Sequence, residues 1–143
     1  YRIEPELLEI EITEGCFIED FDTANRVLEQ LKANGLRIAL DDYGTGFSGL
    51  KNLKKLPIYA IKIDRSFVRD IRNDNSDAVI VASTISLAHN LGLQVVAEGV
   101  ESKEQLVHLK TAGCDQVQGF YFKRPVAAGE IVEILRRGRF TPS

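Results

Sequence analysis

The chain has 143 residues, 44% of them hydrophobic and 27% charged, with a net charge of −3. This composition suits one folded domain with a real core and excludes a disordered or low-complexity chain. No basic stripe points to DNA or RNA, and no apolar run approaches the ~20 residues of a membrane span.

The apolar pattern alternates between two periods along the chain. Leu7 to Thr13 (LLEIEIT) reads as a strand. Asp22 is placed to cap a helix in which Ala24, Val27, Leu28 and Leu31 share one face, and Gly35 to stop it. Arg37 to Asp42 is a second strand. A short helix over Leu50 to Leu56 precedes Pro57. Tyr59 to Asp64 (YAIKID) is a third strand. Ser76 or Asp77 opens a long helix that Gly92 closes, and Leu93 to Ala97 is a fourth strand. Ser102 and Gln105 have capping-box spacing at the head of the next helix, with Gly113 after its end. Residues 115–118 form a short fifth strand, and a last helix runs near Gly129 to Arg137.

Strand and helix thus alternate five times, the signature of a parallel sheet with right-handed crossovers. Two architectures remain open at this point. One is an open doubly wound sheet; the other is the C-terminal part of a (β/α)8 barrel, which needs about 250 residues when whole.

Polar residues collect at the C-terminal ends of these strands: Glu11 and Glu14, Asp41 and Asp42, Lys62 and Asp64, Glu98 and Glu101, and Gln118. Ligands of α/β folds bind beyond those ends. Period-2 alternation puts Ile10, Ile12, Ile61 and Ile63 on one face, and Glu9, Glu11, Thr13, Ala60, Lys62 and Asp64 on the other. Charges facing an enclosed interior must be paired or bind a metal. Lys62 can offset one carboxylate, which leaves a negative excess. An all-oxygen donor set suits Mg2+ or Mn2+ rather than zinc. Asp41 and Asp42 point different ways from one strand end and can serve two ions, an arrangement suited to in-line displacement at phosphorus.

Not every polar residue needs a role. Asp64 can simply pair with Lys62 or Arg65, and Glu101 can simply sit near a helix N-terminus. Phe120, Tyr121 and Phe122 read as core or rim, although an aromatic near Pro125 could contact a base. His89 and His108 have no partners at ligand spacing. Cys16 and Cys114 read as free thiols of a reducing cytosol.

Five stretches carry a resemblance: LEIEITE (8–14), DDYGTGFSGL (41–50), IKIDRSF (61–67), VVAEGVE (95–101) and QGFYFKRP (118–125). In this order they resemble the C-terminal portion of the EAL domain, the bacterial cyclic di-GMP phosphodiesterase family. The resemblance implies the last five βα units of a (β/α)8 TIM-like barrel. It implies hydrolysis of cyclic di-GMP to linear pGpG with two Mg2+ or Mn2+ ions, in second-messenger signalling in the bacterial cytoplasm. By the same resemblance Glu11, Asp41 and Asp42 are metal ligands, with Asp41 bridging the two ions. Lys62 orients the attacking water and Glu98 is the general base. Glu14 anchors the glycine-bearing loop after the aspartate pair, and Asp64, Glu101 and Gln118 are further polar positions of the pocket.

The name-giving Glu-Ala-Leu does not occur in residues 1–143. The chain opens on Tyr1 rather than Met and shows no signal peptide, so it reads as a single EAL-type domain, N-terminally incomplete, cut from a longer parent with sensory or GGDEF domains. That parent is either free or anchored on the cytoplasmic face of the inner membrane; this segment itself has no membrane contact. Three functions are compatible with these residues. The parent is a phosphodiesterase, with the segment alone inactive; or it is a cyclic di-GMP receptor that lost the chemistry; or the segment is a structural fragment. Open edges on a five-strand piece predict covering by a homodimer, by strand exchange or by further strands of the parent.

Overall fold

A computed structural model of the chain describes residues 3–17, 20–44, 50–71 and 75–138. Five strands, β1 (Glu9–Thr13), β2 (Arg37–Tyr43), β3 (Ala60–Ile63), β4 (Gln94–Ala97) and β5 (Gln116–Val117), form one parallel sheet in the order β1-β2-β3-β4-β5. The helices are α1 (Phe21–Ala33), α2 (Leu50–Leu53), α3 (Arg65–Arg69), α4 (Asn75–Asn90), α5 (Lys103–Thr111) and α6 (Ala128–Arg136). Sequential strand order decides between the two architectures. A doubly wound sheet reverses direction at a switch point, whereas a barrel adds each strand beside the last. The chain is a partial barrel.

Local signals explain most element boundaries. The Asp20 carboxylate accepts from the Thr23 amide and caps α1, so the cap lies two residues before the expected Asp22. β1 begins at Glu9 rather than Leu7, because Pro5–Leu7 folds into a 3-10 turn. The capping box of Ser102 and Gln105 is formed, and Gly35, Gly92 and Gly113 follow their helices with positive φ. The short helix α3 has no counterpart in the sequence reading. Asp64 ends β3 and caps it, accepting from the Ser66 amide at 3.0 Å.

The sheet has two unlike faces. Ile38, Leu40, Ile61, Ile63, Val95 and Ala97 face the helices and join Val81, Ile85 and Leu109 in the main core. Ala39, Ala60 and Val96 form a separate small cluster on the other face, with Tyr59 against it. The alternation expected for β3 is therefore present. At the N-terminal end of the second face, Tyr59 donates to Glu9, and the Arg37 guanidinium lies 3.9 Å from the centre of the Tyr59 ring. Burial, then the Glu9 hydrogen bond, push the Tyr59 phenol up to about 12. Among the described residues, no helix is long and apolar enough to cross a membrane.

Candidate functional site

β2 does not keep step with β3. Leu40 pairs with Ile61 and Tyr43 with Ile63, so β2 has one extra residue between the two pairings. This is a β-bulge. It lies at the aspartate pair. Asp42 has φ 52°, the positive value that Asp and Asn tolerate better than other side-chain-bearing residues. The Asp42 amide donates to Asp41 Oδ1 at 3.0 Å. Because of the bulge, Tyr43 packs against the main core on the same side as Leu40. Strict alternation would have sent it to the other face. One extra residue thus fits two consecutive carboxylates into the strand end and returns the chain to register.

Lys62 stands at the focus of the second face. Its Nζ donates to Glu11 Oε1 at 2.5 Å and to Glu98 Oε1 at 2.6 Å, and lies 3.4 Å from Asp41 Oδ1. The Lys62 side chain is 5% exposed, against 47% for Glu11. Glu11 pairs with Ala39 and Ala39 with Ala60 across the sheet. The methyl group of Ala39 leaves room for Lys62 of β3 to meet Glu11 of β1 over the intervening strand. The lysine therefore offsets three carboxylates, where the sequence suggested one. Burial alone would push its pKa down. The hydrogen bonds to Glu11 and Glu98, with the charges of Glu98 and Asp41, outweigh burial and raise it.

Gln118 completes the far side by donating to the same Glu98 Oε1 at 2.8 Å. Glu98 Oε2 has no protein partner among the described residues. The Asp42 pKa is raised first by burial and then by the charges of Asp41 and Asp64, with Lys62 opposing. Asp64 itself does not pair with Lys62. It accepts from the Ser66 amide and hydroxyl. Burial pushes its pKa up, and these hydrogen bonds, with Arg65, hold it down.

Glu14 is buried just past β1, and its Oε1 accepts from the Gly44 amide at 3.2 Å. That bond links the end of β1 to the start of the glycine-bearing stretch after the aspartates. Gly46 and Gly49 lie outside the described residues. Glu101 is exposed, with its amide donating to Gln105 Oε1 at 2.8 Å. A cleft of about 500 Å³ runs from Glu98 and Gln118 past Glu101 to Phe120, Arg124 and Ile131. The Arg124 guanidinium lies 4.7 Å from the centre of the Phe120 ring. Tyr121 and Phe122 pack against the core as expected, but Phe120 is 50% exposed. The sequence signal for this wall was the run of aromatics beside Lys123 and Arg124. Gly119 allows the chain to turn here: a Cβ on it would lie 2.1 Å from the Val100 carbonyl oxygen.

The profile of the EAL domain family matches residues 1–125. The chain belongs to the EAL domain family. It is 44% identical over 135 residues to the signaling protein YkoW of Bacillus subtilis, covering 94% of this chain and 17% of that protein. It is 42% identical over 132 residues to MucR of Pseudomonas aeruginosa, a bifunctional diguanylate cyclase and cyclic di-GMP phosphodiesterase, covering 92% of this chain and 19% of MucR. The solved MucR phosphodiesterase in complex with c-di-GMP superimposes with a TM-score of 0.86 at 43% identity, over 90% of this chain and 52% of that one. BlrP1 of Klebsiella pneumoniae, solved with manganese and c-di-GMP, gives a TM-score of 0.79 at 41% identity, over 86% of this chain and 31% of that one. The chain thus spans under a fifth of the length of both curated relatives.

The donor set of this EAL domain fits a hard divalent cation in its chemistry. Glu11, Asp41, Asp42 and Glu98 offer only oxygens, the donor type that Mg2+ and Mn2+ prefer. In geometry, no three His, Cys, Asp or Glu side chains among the described residues form a metal-holding group by themselves. The Lys62 ammonium lies between the acids instead.

Proposed function

We propose that this domain, within its parent protein, hydrolyses cyclic di-GMP to linear pGpG. The observation that carries the reading is the Lys62 cluster at the C-terminal strand ends: one buried ammonium, three carboxylates and a Glu98 oxygen left unengaged among the described residues. Glu11, Asp41 and Asp42 would hold two Mg2+ or Mn2+ ions. When bound, such ions acidify a water molecule and neutralise charge on the phosphodiester.

The remaining roles fall to the chain's own groups. Glu98 is fixed through Oε1 by Lys62 and Gln118, so Oε2 is presented in a set direction to take a proton from the attacking water. Lys62 orients that water and offsets charge developing on the phosphoryl oxygens. Glu14 ties the loop after the aspartates to the end of β1. The cleft from Gln118 to Arg124 receives the rest of the dinucleotide, with Asp64 and Glu101 supporting its rim. Activity belongs to the parent chain, in the bacterial cytoplasm, with sensory or GGDEF partner domains and a homodimer as its assembly; residues 1–143 alone are inactive.

The full-length protein with Mg2+ or Mn2+ and cyclic di-GMP supplies the test. Wild type should release pGpG, and Glu98→Gln should slow turnover by about 10²–10⁴-fold. No pGpG from wild type, or equal turnover by the variant, sinks the proposal. A second reading, a receptor without turnover, is favoured by the ammonium at the focus of the acids. Calorimetry showing tight cyclic di-GMP binding with no pGpG would select it.

A further inference from the structure

We propose that Lys62 and a divalent cation are antagonists for the same carboxylates, so that this lysine sets how weakly the site holds metal. The inference rests on the metal-site reading above and concerns its regulation. Lys62 is rooted in β3 with its side chain 5% exposed, so its charge cannot swing out to solvent. Its contacts at 2.5 Å to Glu11 and 3.4 Å to Asp41 engage two of the three acids assigned to metal. A cation ligated by those acids lies a few ångströms from a fixed positive charge, and like charges so close repel strongly near a protein surface.

The three acids around Lys62, namely Glu11, Asp41 and Glu98, are not held alike. Glu98 has a second donor in Gln118, whereas Glu11 is about half exposed and has only Lys62 among the described residues. Metal loading therefore draws Glu11 and Asp41 away from the ammonium, while Lys62 keeps Glu98. The lysine holds the acids together at a cost in metal affinity.

Direct Mn2+ titration of the full-length protein, read by the electron paramagnetic resonance of free Mn2+, tests this without reference to turnover. Lys62→Met should bind Mn2+ about tenfold or more tightly than wild type. In chelator its Tm should fall below wild type, and Mn2+ should raise it by a larger step. Lys62→Arg, which keeps the charge, should bind Mn2+ like wild type. Asp41→Asn separates the two possible failures. If wild type binds no Mn2+, or Asp41→Asn binds it equally well, the metal-site reading fails and this inference with it. If Asp41→Asn loses the ion while Lys62→Met binds it no more tightly than wild type, the antagonism alone is overturned. Should Lys62→Met not fold, wild type still decides. Its Lys62 ammonium nitrogen resonance should shift and saturate as Mg2+ is added, and a resonance unmoved at saturation overturns the proposal.

Discussion

Alternate residues of the same strands build two unlike surfaces. Leu40, Ile61, Ile63 and Val95 are buried under helices, where close packing of aliphatic groups supplies stability. Asp41, Lys62 and Glu98 follow or separate them in sequence, yet face one another as ions. The helix-covered face gains free energy from each buried methylene. The charged face gains little net stability from its ion pairs, because desolvating them offsets their attraction. Stability and chemistry are thus separated by the pleat rather than by distance along the chain.

The sharpest way to break this contrast is at the adjacent pair Leu40 and Asp41. Leu40 is fully buried, and Leu40→Ala should cost about 3–5 kcal/mol in urea unfolding. Asp41→Asn should change stability by no more than about 1 kcal/mol, because it keeps the shape and an acceptor for the Asp42 amide. Turnover should respond in the opposite way: lost in Asp41→Asn, retained by the folded fraction of Leu40→Ala. Equal stability losses for both would erase the distinction between the faces.

Glu14 sharpens it at the boundary. Its side chain is buried yet serves the charged face by holding Gly44. Glu14→Ala should destabilise by about 1–3 kcal/mol and speed hydrogen exchange at the Gly44 amide, with little change at Ile61. Exchange rising equally at both would assign Glu14 to the general core.

The smallest effect should come from Asp42. Its pKa is raised from 3.8 in the fold, so its protonated form is favoured there and its ionised form disfavoured. That contribution to stability is present below pH 3.8 and is lost as pH rises through the folded value. Asp42→Asn, which tolerates the same positive φ, should therefore raise Tm at pH 7 by about 1–3 °C. The advantage should fade as pH falls through the folded value and be gone below pH 3.8. An advantage that persisted at pH 3 would point to backbone strain instead of charge.

Much of this was legible in the residues. Alternation in YAIKID separated Ile61 and Ile63 from Lys62, and the Ser102–Gln105 spacing gave its capping box. The features that escaped have physical causes. The bulge is invisible to period-2 reading, which places Tyr43 on the charged face. α3 is too short to show a helical repeat. The reach of Lys62 over Ala39 depends on strand register, which no single strand encodes. The pairing of Tyr59 with Glu9 joins residues 50 apart and comes from register as well.

The extra residue in β2 also makes the second carboxylate an addition to the strand end rather than part of its frame. Substituting either one leaves the strand in phase, and the domain can lose chemistry while keeping its shape. Deleting either one removes the bulge but leaves Tyr43 two residues after Leu40, on the same helix-covered side by plain alternation and still opposite Ile63. The domain can therefore fall silent by exchange of one side chain or by loss of one residue, and Tyr43 keeps its place in the core either way.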